Sequence, residues 1–430
     1  MYLFLYNILI FLLAILCLPY LLFQMFIKGK YKKNFLKRIG FQFPSIDKKN
    51  KKLIWIHAVS VGETKAVTPL IKLIRNKYKN CLILISSVTE TGHLEAKKNL
   101  PFIDYHVFLP FDFAPIISPI IQKSSPDLVI LSETDYWLQF LSAAKKQGAK
   151  IAVVNGKISE RSTNRLKKIS FFTKKLFSNI DLICVQSSHY LTRFLDLRID
   201  NKKLTVTGNL KFDDNYPLLT EKELNEWKNS LGISNDAFVI AIGSTHDPEE
   251  QELLKIFSRL WESYPQIKII LVPRHPERFN KVANLLEKEN IAYGRITLPE
   301  TLQKNNKVIL VDAMGLLKKC YQISKIAIVG GSFTEKVGGH NILEPCWYGV
   351  PVLFGPYLFS QPELLDIVLR FNAGKQVTLE TVESELMHLI QKSELRQMLA
   401  ENGLKMMKEI NGATQKTFLL LEEKGFLDGF

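Results

Sequence analysis

Two carboxylates and a lysine stand at the turns that follow apolar runs, where side chains are free to meet a substrate. Glu63 lies in HAVSVGET at the expected start of a helix, Glu133 lies in LSETDYW with Asp135 two residues on, and Lys211 follows the Thr207-Gly208-Asn209 turn. A carboxylate such as Glu63 suits a general base that takes a proton from an acceptor hydroxyl. The plainer reading is a first-turn glutamate that stabilises a helix N-terminus. Glu133 and Asp135 point to one side if their strand continues, with a helix-capping carboxylate as the alternative. Lys211, at a tight glycine turn, would stabilise negative charge arising nearby, or would be one of many solvated lysines.

A second group suits anions. Arg274 and His275 leave an apolar run between two prolines in LVPRHPERF, and a planar guanidinium there could make two hydrogen bonds to a phosphate. An exposed loop arginine and a packed loop histidine are the alternatives. In VGGSFTEKVGGHNILEP two Gly-Gly pairs bracket a loop, and His340-Asn341 lead into a helix start. Glycine-rich backbone beside a helix start cradles anions, and Glu344 could accept hydrogen bonds from ribose hydroxyls. There is no G-x-x-x-x-G-K-[ST] and no G-x-G-x-x-G, so neither a P-loop NTPase nor a dinucleotide oxidoreductase fits. The absence of D-x-D weighs against a nucleotide held through a carboxylate-bound metal. The pattern favours a nucleotide-sugar site.

The elements that must position these residues follow a βα rhythm, which makes parallel sheets. Short β-branched runs begin at 53, 81, 105, 127, 150, 182 and 204, and again at 238, 267, 307, 325 and 350, each followed by a stretch of helical length. Two sheets follow, divided near residue 215. The expected organisation is a membrane anchor over 1–27, a basic segment over 28–50, an acceptor-binding Rossmann-like domain over 51–215, a nucleotide-binding one over 216–383, and helices over 384–430 that pack across one or both domains. Open parallel sheets bind ligands at the carboxyl ends of their strands, so the two sites are expected to face one cleft.

Composition adds location. The 430 residues carry a formal charge of +15, which draws anionic partners such as acidic lipid or phosphorylated substrates. The aromatics form no series for stacking bases, so nucleic acid is not an expected partner. Five scattered cysteines without a C-x-x-C pair fit a reducing compartment. Met1 to Ile27 contain no charge and Lys28, Lys30, Lys32, Lys33, Lys37 and Arg38 follow at once. That pattern reads as a single-pass anchor with the bulk of the chain in the cytoplasm, and the basic collar also suits an anionic membrane surface.

HAVSVGE, SETDYW, GNLKFD, PRHPERF, DAMG and GGSF followed by GGHNILEP, in that order over residues 57 to 355, resemble the membrane-associated 3-deoxy-D-manno-octulosonic acid (Kdo) transferases. The resemblance implies an α/β fold of the GT-B type, with two Rossmann-like domains and an N-terminal anchor helix. It implies transfer of Kdo from CMP-Kdo to a lipid A precursor (lipid IVA) in lipopolysaccharide core biosynthesis at the bacterial inner membrane, with inversion and with neither metal nor cofactor. On this analogy Glu63 is the catalytic base, and Glu133 and Lys211 stabilise the transition state. Arg274, His275, Gly315, Leu316, Leu317, Asn341, Ile342, Leu343 and Glu344 would bind CMP. The chain departs from the family pattern at Leu316, where an acidic residue is frequent, and at Ile342, where proline is. The rival readings are another membrane-associated GT-B transferase, using a UDP-sugar and a polyprenyl-phosphate-linked acceptor, and a noncatalytic basic module.

Overall fold

The computed structural model describes residues 2–26, 32–213, 217–234 and 236–430. The expected anchor limits at Met1 and Ile27, two lysines of the collar (Lys28 and Lys30) and the expected domain boundary at 215 lie outside them. The chain divides into two compact units, Met1–Asp214 with Ile410–Phe430, and Asn215–Glu409.

The first unit is built on β1 (Leu53–His57), β2 (Leu82–Ser87), β3 (Tyr105–Phe108), β4 (Leu128–Ser132), β5 (Lys150–Gly156), β6 (Leu182–Val185) and β7 (Leu204–Val206). These pair in parallel in the order β3-β2-β1-β4-β5-β6-β7. The second is built on β8 (Phe238–Thr245), β9 (Ile267–Pro273), β10 (Tyr293–Arg295), β11 (Val308–Leu310), β12 (Ile326–Val329), β13 (Val352–Phe354) and β14 (Gly374–Gln376). Their order is β10-β11-β9-β8-β12-β13-β14, again all parallel. Both are Rossmann-like sheets with helices on both faces.

Parallel strands buried on both faces read as unbroken apolar runs rather than alternating ones. In β1, Leu53 and Trp55 face one core layer while Ile54 and Ile56 face the other. The strand is consequently apolar at every position until His57. β10 and β14 have no counterpart in the sequence reading. Each is three residues long, at a sheet edge, and holds glycine beside a charged or polar residue, so neither carries an apolar run.

Strand order sets the site. In each sheet the chain reverses its direction of travel between two adjacent strands, β1 and β4 in the first and β8 and β12 in the second. The loops leaving such a pair part to opposite faces and open a crevice.

The C-terminal tail is shared. Helices Val382–Gln391 and Ser393–Ile410 lie with the second unit except for the last residue, while helix Ala413–Glu423 belongs to the first. Ala413, Phe418 and Leu421 are buried in the apolar layer beneath β1 and β2. Gly412 has no side chain to cap this last helix, and Asp213 does so instead. Its carboxylate accepts from the backbone N–H of Gly412 at 2.8 Å, of Ala413 at 3.2 Å and of Thr414. Loss of a capping carboxylate costs roughly 0.5–2 kcal/mol. Asp213→Ala should therefore lower the denaturant midpoint of the detergent-solubilised protein by a corresponding amount, and an unchanged midpoint would show that the cap carries no stability.

Candidate active site

In the first unit three strand ends supply the chemistry. β1 ends in register with β2 and β4, His57 opposite Ser86 and Leu131. Ser60 then caps the helix Val61–Lys77, accepting from the Glu63 N–H at 3.4 Å. Glu63 turns back: its Oε2 accepts from the Val59 N–H at 2.7 Å, and its Oε1 lies 3.3 Å from the Ser60 hydroxyl. Helix capping and the acid–base reading thus coexist in one residue. Burial pushes the Glu63 carboxyl up to about 7, the Val59 hydrogen bond opposes this, and the negative charge of Asp135 and Glu133 adds to it. A carboxyl that titrates there suits proton transfer near neutral pH.

Glu133, directly after β4, is buried and held with a left-handed backbone (φ 66°). Its Oε1 pairs with Lys211 Nζ at 2.5 Å and its Oε2 with Lys157 Nζ at 2.9 Å. Burial by itself would raise this carboxyl, but the two lysines win and hold it below the usual carboxylate range. Asp135, by contrast, is raised by burial and then by Glu133.

Asn155 is a residue that the sequence reading missed. Fully buried near the end of β5, with φ 56°, it donates from Nδ2 to Glu133 Oε1 at 3.3 Å. Its Oδ1 accepts from the Leu210 N–H at 2.9 Å, which positions the turn that carries Lys211. Lys157 was missed as well, since a lysine after a strand has no signature until its carboxylate is known. His57, although next to the site, is no base. Trp137 Nε1 can only donate, and it points at His57 Nε2 at 3.2 Å, so the proton sits on Nδ1, beside the Ser86 Oγ at 2.9 Å. Burial, first of all, pushes the imidazole down to about 4.

In the second unit a cavity of about 460 Å³ opens at the ends of β8, β9 and β11. Arg274, Gly315, Leu317, Asn341 and Glu344 line it, as do Ser244, Met314, Lys318 and His340. Gly315 has φ 86°, and a Cβ added there would meet nothing within 4 Å, so its backbone faces open space. The other expected CMP-binding residues are not brought to the cavity wall. Ile342 and Leu343 are buried, 0 and 1% exposed, which leaves only their backbone for a ligand. Leu316 packs against the apolar cluster under β8, β9 and β11, and His275 stands edge-on to His246 with 5.2 Å between ring centroids.

The Gly-rich loop is organised by a carboxylate absent from the sequence reading. Glu249, 2% exposed, accepts from the N–H of His246, Gly331 and Phe333 at 2.9, 2.7 and 2.8 Å. A Cβ on Gly330 would come within 2.9 Å of that carboxylate and 2.8 Å of Thr245 Cα, so the close approach needs glycine. His246 and His340 stack, and their Nε2 atoms lie 2.8 Å apart, so that one ring donates and the other accepts. The stretch 243–247 was visible in sequence as a polar strand end, but nothing there joined it to His340.

Because the charge of Glu133 helps raise Glu63, Glu133→Gln should move the titration of Glu63 down from about 7 toward the ordinary glutamate value. Infrared difference titration of the carboxyl bands, with Glu63→Gln as the blank, reads this directly. A midpoint that does not fall would mean that the Glu133 charge has no part in raising it, leaving burial and Asp135.

Residues 33–214 match the family profile described as 3-deoxy-D-manno-octulosonic-acid transferase (kdotransferase). The 3-deoxy-D-manno-octulosonic acid transferase of Chlamydophila psittaci is 34% identical over 402 residues, 93% of this chain and 92% of that one. That of Haemophilus influenzae is 34% identical, with 91% of this chain and 92% of the relative covered. Among solved structures, a glycosyltransferase of Rickettsia africae aligns over 89% of this chain and 100% of its own length, with a TM-score of 0.56 and 18% identity. The UDP-GlcNAc 2-epimerase of Neisseria meningitidis aligns over 86% and 100%, with a TM-score of 0.57 and 15% identity. These two likenesses are of fold, the paired Rossmann-like domains of the GT-B type. With near-full-length identity to named enzymes and the ordered motifs at its strand ends, the chain belongs to the 3-deoxy-D-manno-octulosonic acid transferase family.

Proposed function

We propose that this Kdo transferase moves one or more Kdo residues from CMP-Kdo to a hydroxyl of a lipid A precursor (lipid IVA), with inversion and without a metal. It would act at the cytoplasmic face of the bacterial inner membrane, held there by its apolar N-terminal helix. The observation that carries the reading is Glu63, a carboxyl pushed up to about 7 beside a second carboxylate that two lysines keep charged.

In this reading Glu63 takes the proton of the acceptor hydroxyl as its oxygen forms a bond to the anomeric carbon of Kdo. The bond from that carbon to the phosphate oxygen breaks, its electron pair leaves with CMP, and attack opposite the leaving group inverts the centre. Glu133 and Lys211 steady the charge that develops on the acceptor side. Arg274 and the backbone around Gly315 and Asn341 meet the phosphate, and Glu344 the ribose. The Arg274 guanidinium and the backbone N–H dipoles supply the positive charge that CMP needs as it leaves, so no metal is invoked.

Detergent-solubilised protein given CMP-Kdo and a tetraacylated lipid A precursor, with EDTA present, should yield products heavier by whole Kdo increments. No increment from folded protein would overturn the donor and acceptor assignment, and an increment lost only with EDTA would overturn metal independence. Glu63→Gln should keep CMP binding and lower transfer by roughly 100-fold or more, the scale for removing a general base. Near-normal turnover would remove Glu63 from the role.

The pH dependence has a definite sign. The base form of Glu63 fills as pH rises through about 7, so kcat/KM should climb to a plateau above that pH, and Glu63→Gln should abolish the limb. Stability moves the other way: a carboxyl raised from 4.5 to about 7 by folding loses its contribution as pH rises across that window. Thermal midpoints measured between pH 5 and pH 8 should converge for wild type and Glu63→Gln at the acid end and separate at the alkaline end.

A further inference from the structure

The helix Tyr2–Phe26 has length and composition enough to cross a bilayer. Its first turns, however, are tied to the first unit. Tyr6 Oη donates to Asp112 Oδ2 at 2.7 Å. Asp112 is 5% exposed and also accepts from the N–H of Gln139 at 3.0 Å and of Phe140 at 2.7 Å. Asn7 Oδ1 accepts from the Ala114 N–H at 2.8 Å. It thereby caps the helix Ala114–Ser124, whose own N-cap residue, Phe113, makes no side-chain cap bond. Asn7 Nδ2 donates to Gln139 Oε1 at 3.3 Å. Tyr6 stacks on Phe172 and Phe11 on Phe113, with ring centroids 6.1 and 6.3 Å apart.

The chain then returns to the same place. Phe35 meets Phe111 with 6.0 Å between centroids, the Arg38 guanidinium lies 4.5 Å from the Phe111 centroid, and the Arg38 carbonyl accepts from the Phe111 N–H at 2.8 Å. Residues 6–7 and 35–38 therefore both hold the segment 111–114. Between these two stretches runs the rest of the helix, to Phe26.

The outgoing part is bare. Leu12, Leu13, Ile15, Leu16, Tyr20 and Phe23 are 45 to 75% exposed. From Leu12 to Phe26 the helix is about 21 Å long at 1.5 Å per residue, short of the roughly 30 Å of a hydrocarbon core. A full crossing would need Tyr6 and Asn7 to leave, removing a partner from a buried carboxylate and uncapping a helix. Both losses are unfavourable.

We propose that residues 12–26 dip into the one leaflet that faces the catalytic domains and do not cross it, so that the first residues of the chain lie on the same side as those domains. The occupant of the exposed face is the acyl layer of an anionic bilayer. Length, the bare apolar surface of residues 12–20 and the basic residues that follow in sequence all match it. This rests on the membrane location proposed above and replaces the single crossing expected from sequence.

The test is an epitope placed ahead of Met1 in the full-length chain, expressed in a Gram-negative host. Protease is added to sealed right-side-out and inside-out inner-membrane vesicles. Loss of the epitope in inside-out vesicles alone is the expected result. Loss in right-side-out vesicles would show a crossing, and protection in both would place the first residues within the bilayer; either overturns the proposal. Recovery of the protein outside the membrane fraction would instead overturn the membrane location itself.

Discussion

A carboxylate withdrawn from water must find cations or surrender its charge, and Glu133 is where this chain meets that constraint. It stands at the end of a central parallel strand, buried, in a left-handed backbone conformation that side chains seldom adopt. Two lysines from different strand ends, Lys157 and Lys211, keep it ionised. Asn155 links the carboxylate to the turn that carries Lys211, and the charge so maintained adds to the burial that raises Glu63 and Asp135. Glu63 and Glu133 are both buried, but only Glu133 has lysines to offset that burial, which is how two similar carboxyls come to differ in chemistry.

The second unit solves a comparable problem with backbone. Glu249 is as buried as Glu133, but its partners are three N–H groups rather than lysines. Burial outweighs those hydrogen bonds and its carboxyl is raised. The gain is geometric: the loop after β12 is drawn tight against β8, which only glycine at 330 permits. The cavity of the second unit is thus shaped by a residue that does not line it.

Much of this was legible beforehand. The apolar runs located twelve of the fourteen strands because strands buried on both faces cannot hide their composition. Glu63, Glu133, Lys211 and Arg274 stood out because they follow such runs, where a parallel sheet presents its ligand edge. Lys157, Asn155, His340 as the partner of His246, and Glu249 did not. Each acts through a neighbour distant in sequence, and spacing along one chain carries no record of such pairings. Ile342 and Leu343 are motif positions of another kind, whose side chains are buried, so that only their backbone could meet a ligand.

Sequence by itself determined what is local or periodic: the βα rhythm, the apolar N-terminal helix, the glycines of the 330–339 loop and the ordered motifs that mark the family. Tertiary structure alone decided which strand ends are neighbours, since strand order is a matter of long-range pairing. It also decided which carboxyl is raised and which is held charged, because that depends on burial and on cations brought in from elsewhere. For the N-terminal helix, composition specified an apolar rod. Two polar side chains, Tyr6 and Asn7, finding buried partners more than a hundred residues away, decided where that rod begins.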